Sequence, residues 1–187
     1  MVEQDSSGPP DDGFQKRTMT ENSETGHTPD AAELRTLAEE LIRNQTTMTL
    51  ATCMNGETWA APVYYVFHEG GFCFLSNPDS RHIREALESG QASAAIHAAG
   101  AGWRDIRGMQ MSGRIERISG KMEALRTIGA YLGKFPFTRE FFAPGLALDI
   151  AAFEQRFRVK LYRFRPSLAL YLDNRIRFGF REEVSLS

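Results

Sequence analysis

The chain has 187 residues, 42% hydrophobic and 11% aromatic, with two cysteines and a formal net charge of -2. It is long enough to bury one core unaided, and Cys53 and Cys73 are too few for a secreted disulfide scaffold. The charge lacks the basic excess of a dedicated nucleic-acid binder, and no apolar run spans a bilayer, so the expectation is a cytoplasmic protein with no membrane partner.

Residues 1–30 hold seven acidic residues against Lys16 and Arg17, a net -5, and almost no apolar side chains. They lack the apolar region of a secretory signal and cannot offset their ordering entropy by burial, so they read as a disordered acidic tail. Residues 31–187 then form the folded domain, with a net charge of +3.

Asp30 with Glu33 forms a capping-box pattern, and Leu34, Leu37, Leu41 and Ile42 fall on one helical face ending near Asn44. Alternation from Thr47 to Cys53 predicts a strand, and Asn55-Gly56 predicts a hairpin turn into a second strand, Trp59 to His68. Pro62 marks that strand as an edge or a bulge. Gly70-Gly71 turns into a third strand, Phe72 to Ser76. Asn77-Pro78-Asp79-Ser80 opens a helix with Ile83 and Leu87 on its apolar face, stopping at Gly90. Ala92 to Ala98 predicts a small-residue strand and Ile106 to Ile118 a long one, bent at Gly108 or Gly113. Lys121 to Leu132 predicts a helix with Met122, Leu125, Ile128 and Leu132 on its face. Phe135 to Ala152 fits no regular pattern. Phe157 to Leu172 returns to strand character, and Ile176 to Phe180 can add one more. Strands joined mostly by short turns, with three helices, exclude a doubly wound sheet and predict an antiparallel α+β protein, mainly β and built as a barrel.

The strongest local pattern is Phe74 to His82. A strand ends on the hydroxyl of Ser76, and a helix starts with Ser80, Arg81 and His82 in its first turn. Helix N-termini attract anions, and cations there are disfavoured unless an anion is bound. A phosphate held by Ser76, Ser80 and Arg81 is one reading; plain capping by Asp79 or Ser80 is the other. Gln110, on an alternating strand, needs a partner if it points inward and none if it faces solvent. His97 suits core or site, with core favoured, and His68 reads as solvated. Cys53 and Cys73 read as small core residues. No histidine–cysteine spacing suggests a metal, and no residue stands out as an acid, base or nucleophile. The segment 156–187 has eight basic residues against three acidic ones, and alternation sets Arg158 and Lys160 on one face and Arg163 and Arg165 on the other. A solvated face outweighs a polyanion site here, so nucleic acid is not expected as a partner.

These residues together resemble the pyridoxamine 5'-phosphate oxidase-like family of FMN-binding split barrels. The likeness carries through Thr46 to Ile118 and extends more loosely to about Leu172. It implies a six- to seven-stranded antiparallel split β-barrel with flanking helices, a homodimer, and FMN held between the subunits. It also implies that Ser76, Ser80 and Arg81 hold the phosphate, with His82 where the oxidase has a lysine and Asn77 among the cofactor-binding residues. In the same way, Pro62, Val63 and Tyr64 lay their backbone against the isoalloxazine ring, and Gln110 reaches the cofactor across the interface. The oxidase has an arginine and a lysine on its second strand where this chain has Ala61 and Val66. The oxidase's C-terminal Arg-x-His is absent here, so pyridoxamine phosphate is not the expected substrate. Relatives of the same barrel bind deazaflavin or haem. The readings carried forward are an FMN-dependent oxidoreductase and a non-catalytic flavin or haem binder.

Overall fold

In the computed structural model, which describes residues 27–141 and 150–186, the chain enters through α1 (Ala31–Asn44). Asp30 accepts from the Ala32 and Glu33 backbone, and Glu33 returns a bond to Asp30 N, so the capping box forms as expected. Leu34, Ala38, Leu41 and Ile42 are buried on one face. The acidic-tail expectation lies outside the described residues up to position 26.

β1 (Thr47–Met54) and β2 (Glu57–Tyr64) form the expected hairpin. Asn55 and Gly56 both take positive φ, 54° and 81°, which matches the twist of the flanking strands. The predicted second strand breaks at Tyr65 and resumes as β3 (Val66–His68), which pairs with β4 (Gly71–Ser76). α2 (Arg81–Ser89) ends on Gly90 at φ 70°. β5 (Ala92–His97), β6 (Arg107–Arg117), α3 (Lys121–Lys134), α4 (Ile150–Phe157), β7 (Lys160–Asp173) and β8 (Arg181–Glu183) follow. The bend in β6 falls at Gly113, where the register shifts; an added Cβ there would sit 2.0 Å from the Arg165 carbonyl oxygen.

The strand order is β2-β1-β5-β6-β7-β4-β3, all antiparallel, with β8 on β7. Its two ends, β2 and β3, are separated only by Tyr65, so the sheet curls until its ends meet at that kink. Tyr65 is fully buried there, and its hydroxyl donates to the Ile42 carbonyl at 2.8 Å. The architecture is α+β with a curled antiparallel sheet and flanking helices, as the sequence predicts.

One core fills the curl, with Leu50, Phe72, Phe74, Ile83, Met109 and Phe164 among its members. A second core lies where α3 covers the outside of β3, β4 and β7, joining Val66, Cys73 and Leu161 to Ile128, Tyr131 and Phe135. Strands covered on both sides lose their alternation: residues 161 to 164 of β7 are all buried.

That double cover explains several departures from the sequence reading. Arg163, expected on a solvated face, is 1% exposed and is bonded to Glu123 at 2.5 Å and to Cys73 Sγ at 3.5 Å. Lys160, Arg165, Arg175 and Arg177 pair with Glu154, Glu116, Asp173 and Glu182, so half of the eight basic side chains of this segment pair within the chain, and Arg163 adds a fifth. α3 buries Thr127, Ile128 and Tyr131 and leaves Met122 exposed, so its apolar stripe runs along a neighbouring row. Phe157 closes α4 and does not open a strand. Residues 176 to 180 form a turn held by Asn174, whose side-chain oxygen accepts from Gly179 N, and the strand starts after it as β8. Cys73 is buried as expected, whereas Cys53 is exposed. His68 is half-buried. The unassigned segment holds a short 3-10 turn (Pro136–Phe141) and the start of α4; positions 142–149 lie outside the described residues.

Candidate cofactor site

β4 delivers Ser76 to the base of a tight turn. The Asn77 side chain accepts from Asp79 N at 2.8 Å, folding the chain back so that Ser80 becomes the N-cap of α2. Ser80 Oγ donates to the Asn77 carbonyl and makes no capping bond to the helix, and Asp79 makes none either. The first turn of α2 contains no acidic residue. The helix therefore begins with backbone N–H groups and a positive dipole end that no side-chain carboxylate answers. The capping reading is thus not what the structure adopts.

Ser76 and His82 are each over nine-tenths buried, and Ser76 Oγ lies 2.9 Å from His82 Nε2 and 3.2 Å from Ser80 Oγ. Burial holds the His82 imidazole below its ordinary pKa and favours the neutral ring. Ser76, Ser80, His82 and the start of α2 thus form one polar cluster at a strand end.

Arg81 leaves this cluster sideways. Its Nε donates to Glu85 at 2.5 Å, its terminal nitrogen to Glu57 at 3.0 Å, and its guanidinium carbon sits 5.0 Å from the centre of the Trp59 ring. Glu85 is buried and also accepts from the Thr52 hydroxyl at 2.5 Å. The Thr52 hydroxyl and the Arg81 guanidinium hold the Glu85 carboxyl below its usual range, so it is ionised. Sequence reasoning missed Thr52, Glu57, Trp59 and Glu85. Two signals for them exist: Glu85 is four residues beyond Arg81 on a helix, and the Asn-Gly hairpin puts Trp59 opposite Thr52 and Glu57 opposite Met54. Leu87, expected on the buried face of α2, is 49% exposed because α2 turns His82 and Glu85 inward beside Ile83 and Ala86.

The second predicted group lies on the edge of the sheet. β2 ends the strand order, so Pro62 loses no ladder partner by lacking its N–H. Val63 packs against the main core. Tyr64 packs its ring edge-on against Phe135 and Phe137, and its carbonyl accepts from Tyr131 at 2.5 Å. Ala61 and Val66, where the oxidase carries cations, are buried apolar positions.

Gln110 faces outward. Register places Pro62, Thr49, Ala95, Gln110 and Leu170 in one row across five strands, with Ala60, Ala51, Ser93, Ser112 and Leu168 in the next. Both rows are uncharged, and their side chains are small at Thr49, Ala95, Ala60, Ala51, Ser93 and Ser112. His97 is exposed on this outer face, away from the core. The structure thus brings together Ser76, Asn77, Ser80 and His82, turns the Arg81 side chain away to Glu57, Glu85 and Trp59, and sets Pro62 and Gln110 apart on the outer face, three strands from each other.

A curled antiparallel sheet with a helix starting from a strand end defines the split-barrel class. Residues 34–144 match the pyridoxamine 5'-phosphate oxidase family, and the chain belongs to it. A UPF0306 protein of Klebsiella pneumoniae is 26% identical over 140 residues, 74% of this chain and 84% of the relative. The UPF0306 protein YhbP of Escherichia coli O157:H7 is 24% identical over 149 residues, 79% of this chain and 90% of the relative. Among solved structures, a heme-binding protein from Mycobacterium smegmatis superposes with a TM-score of 0.61 at 19% identity, over 85% of this chain and 59% of that one. The heme storage protein HutZ from Vibrio cholerae gives 0.57 at 16%, over 72% and 90%. A FAD-binding protein from Mesorhizobium loti gives 0.55 at 18%, over 78% and 95%. These likenesses define the fold.

Proposed function

We propose that the protein binds FMN as a cytoplasmic homodimer and acts as a flavin-dependent oxidoreductase. The support is the start of α2: uncapped, without an acidic residue in its first turn, and next to the buried hydroxyl of Ser76, with Arg81 as its first residue. That donor set fits a phosphomonoester, with Ser76, Ser80, Arg81 and the first backbone N–H groups of α2 as its ligands. Asn77 holds the turn, and neutral His82 orients the two hydroxyls. Pro62, Val63 and Tyr64 offer the sheet edge to the ring system. A second copy on the outer face brings its Gln110 towards that edge, and the uncharged rows of Ala51, Ala95, Ser93 and Ser112 support this packing. When bound, FMN supplies hydride or electron transfer at its own ring, and the protein's part is to bind and orient it.

A second reading is a carrier that holds flavin or haem without turnover. It draws on the names of the Mycobacterium smegmatis and Vibrio cholerae structures. One spectrum separates ligand from ligand. Purified full-length protein, incubated with FMN and desalted, is expected to retain a flavin band near ~450 nm. Protein that stays colourless with FMN and retains a Soret band after haem addition overturns the flavin reading. Steady-state NADH or NADPH oxidation by the loaded protein then distinguishes the enzyme from the carrier.

A further inference from the structure

Arg81 is held by two carboxylates of opposite character. Glu85 lies on the same helix one turn on, its side chain is 5% exposed, and it is fixed by Thr52 from β1 as well as by Arg81. Glu57 lies at the start of β2 next to the Asn-Gly turn, and its side chain is 76% exposed with Arg81 as its ion-pair partner. A buried ionised carboxylate needs fixed partners, because leaving it unpaired is strongly unfavourable. An exposed ion pair contributes little and exchanges readily. The two bonds engage different nitrogens: Nε goes to Glu85 and a terminal nitrogen to Glu57. The Glu85 bond therefore survives any rearrangement that leaves the guanidinium plane where Trp59 stacks on it, while the Glu57 bond does not have to.

We infer that Glu85 is a positioning residue that anchors Arg81 beside the start of α2, and that Glu57 is an exchangeable carboxylate that an incoming phosphate displaces from it. This rests on the reading of the α2 start as the FMN phosphate site and adds to it a built-in competitor. The cleft at Arg81, about 420 Å³, is lined by Glu57, Glu85 and Glu88 against Arg81 and Arg84, and this net acidic lining disfavours a phosphate inside it. The anion approaches from the Ser76–Ser80 side, and Glu57 is the group it replaces. The two carboxylates then act with opposite sign. Removing the charge of Glu57 eliminates a competitor and a repulsion; removing the charge of Glu85 lets Arg81 drift.

The test is the ratio of riboflavin to FMN dissociation constants, read by quenching of flavin fluorescence in full-length protein. Riboflavin shares the ring and lacks the phosphate, so general damage moves both constants and leaves the ratio unchanged. Glu57→Gln is expected to raise the ratio about fivefold, the scale of one exposed ion pair. Glu85→Gln is expected to lower it about tenfold, the scale of one charge-assisted hydrogen bond. A Glu57→Gln ratio at or below that of the unaltered protein overturns the exchange, and this variant decides alone if Glu85→Gln fails to fold. A Glu85→Gln ratio equal to that of the unaltered protein overturns the anchoring role. A ratio of one in the unaltered protein overturns the phosphate site itself, and the inference with it.

Discussion

Replacing Arg81 with alanine is expected to weaken FMN binding about a hundredfold while leaving riboflavin binding within a factor of two. A guanidinium gripping a phosphate through charge-assisted bonds contributes about 2–3 kcal/mol, and tenfold in affinity corresponds to about 1.4 kcal/mol. The alanine variant also strips Glu85 of its cationic partner, leaving Thr52 as its remaining ligand, so some loss of stability accompanies it. Arg81→Lys separates the two effects. It keeps the charge near Glu85 but lacks the planar fork, and its FMN affinity is expected to fall about tenfold with a nearly unchanged melting temperature. Equal FMN affinity in all three proteins removes Arg81 from the site.

The second large effect is expected on the outer face. Ala95 is exposed in the middle of the row Pro62, Thr49, Ala95, Gln110 and Leu170. Ala95→Arg adds nothing to the interior, so the protomer keeps its fold. Across an interface between two copies it buries an unpaired guanidinium from each, a penalty of several kcal/mol. Sedimentation is expected to change from twice the protomer mass of 21.0 kDa to that mass. FMN affinity is expected to fall about a hundredfold with it, because Gln110 of the second copy is lost from the site. A variant that stays dimeric moves the interface elsewhere; a monomer that keeps full FMN affinity shows that one protomer makes the whole site.

The parts of this structure written in short-range sequence are those the sequence makes legible. Asp30 and Glu33 specify a helix start within four residues. Asn55-Gly56 specifies a hairpin, and its register sets Pro62 opposite Thr49. Ser76 to His82 specifies a strand end, a turn and a helix start, and the structure brings the side chains of Ser76, Ser80 and His82 together. What stayed hidden depends on residues far apart in the chain. Arg163 looks solvated by strand alternation, but α3 covers that side of β7, and its partner Glu123 lies 40 residues away. Glu85 looks like a surface charge on α2 until Thr52, 33 residues earlier, is seen to bind it. Leu87 looks buried because the periodicity of an apolar face counts only apolar residues, and here the inward face of α2 is shared with His82 and Glu85. Alternation and helical periodicity assume one wet side and one dry side; a curled sheet with a second core on its back breaks that assumption locally.

The start of α2 is expected to recognise the phosphate of a flavin mononucleotide. The most direct measurement is a pair of titrations of the unaltered full-length protein, one with FMN and one with riboflavin, at the same pH and ionic strength. FMN is expected to bind at least about a hundredfold more tightly, the contribution of one phosphate gripped by Arg81 and the two serine hydroxyls. Equal affinity for the two flavins, or no affinity for either, contradicts the account.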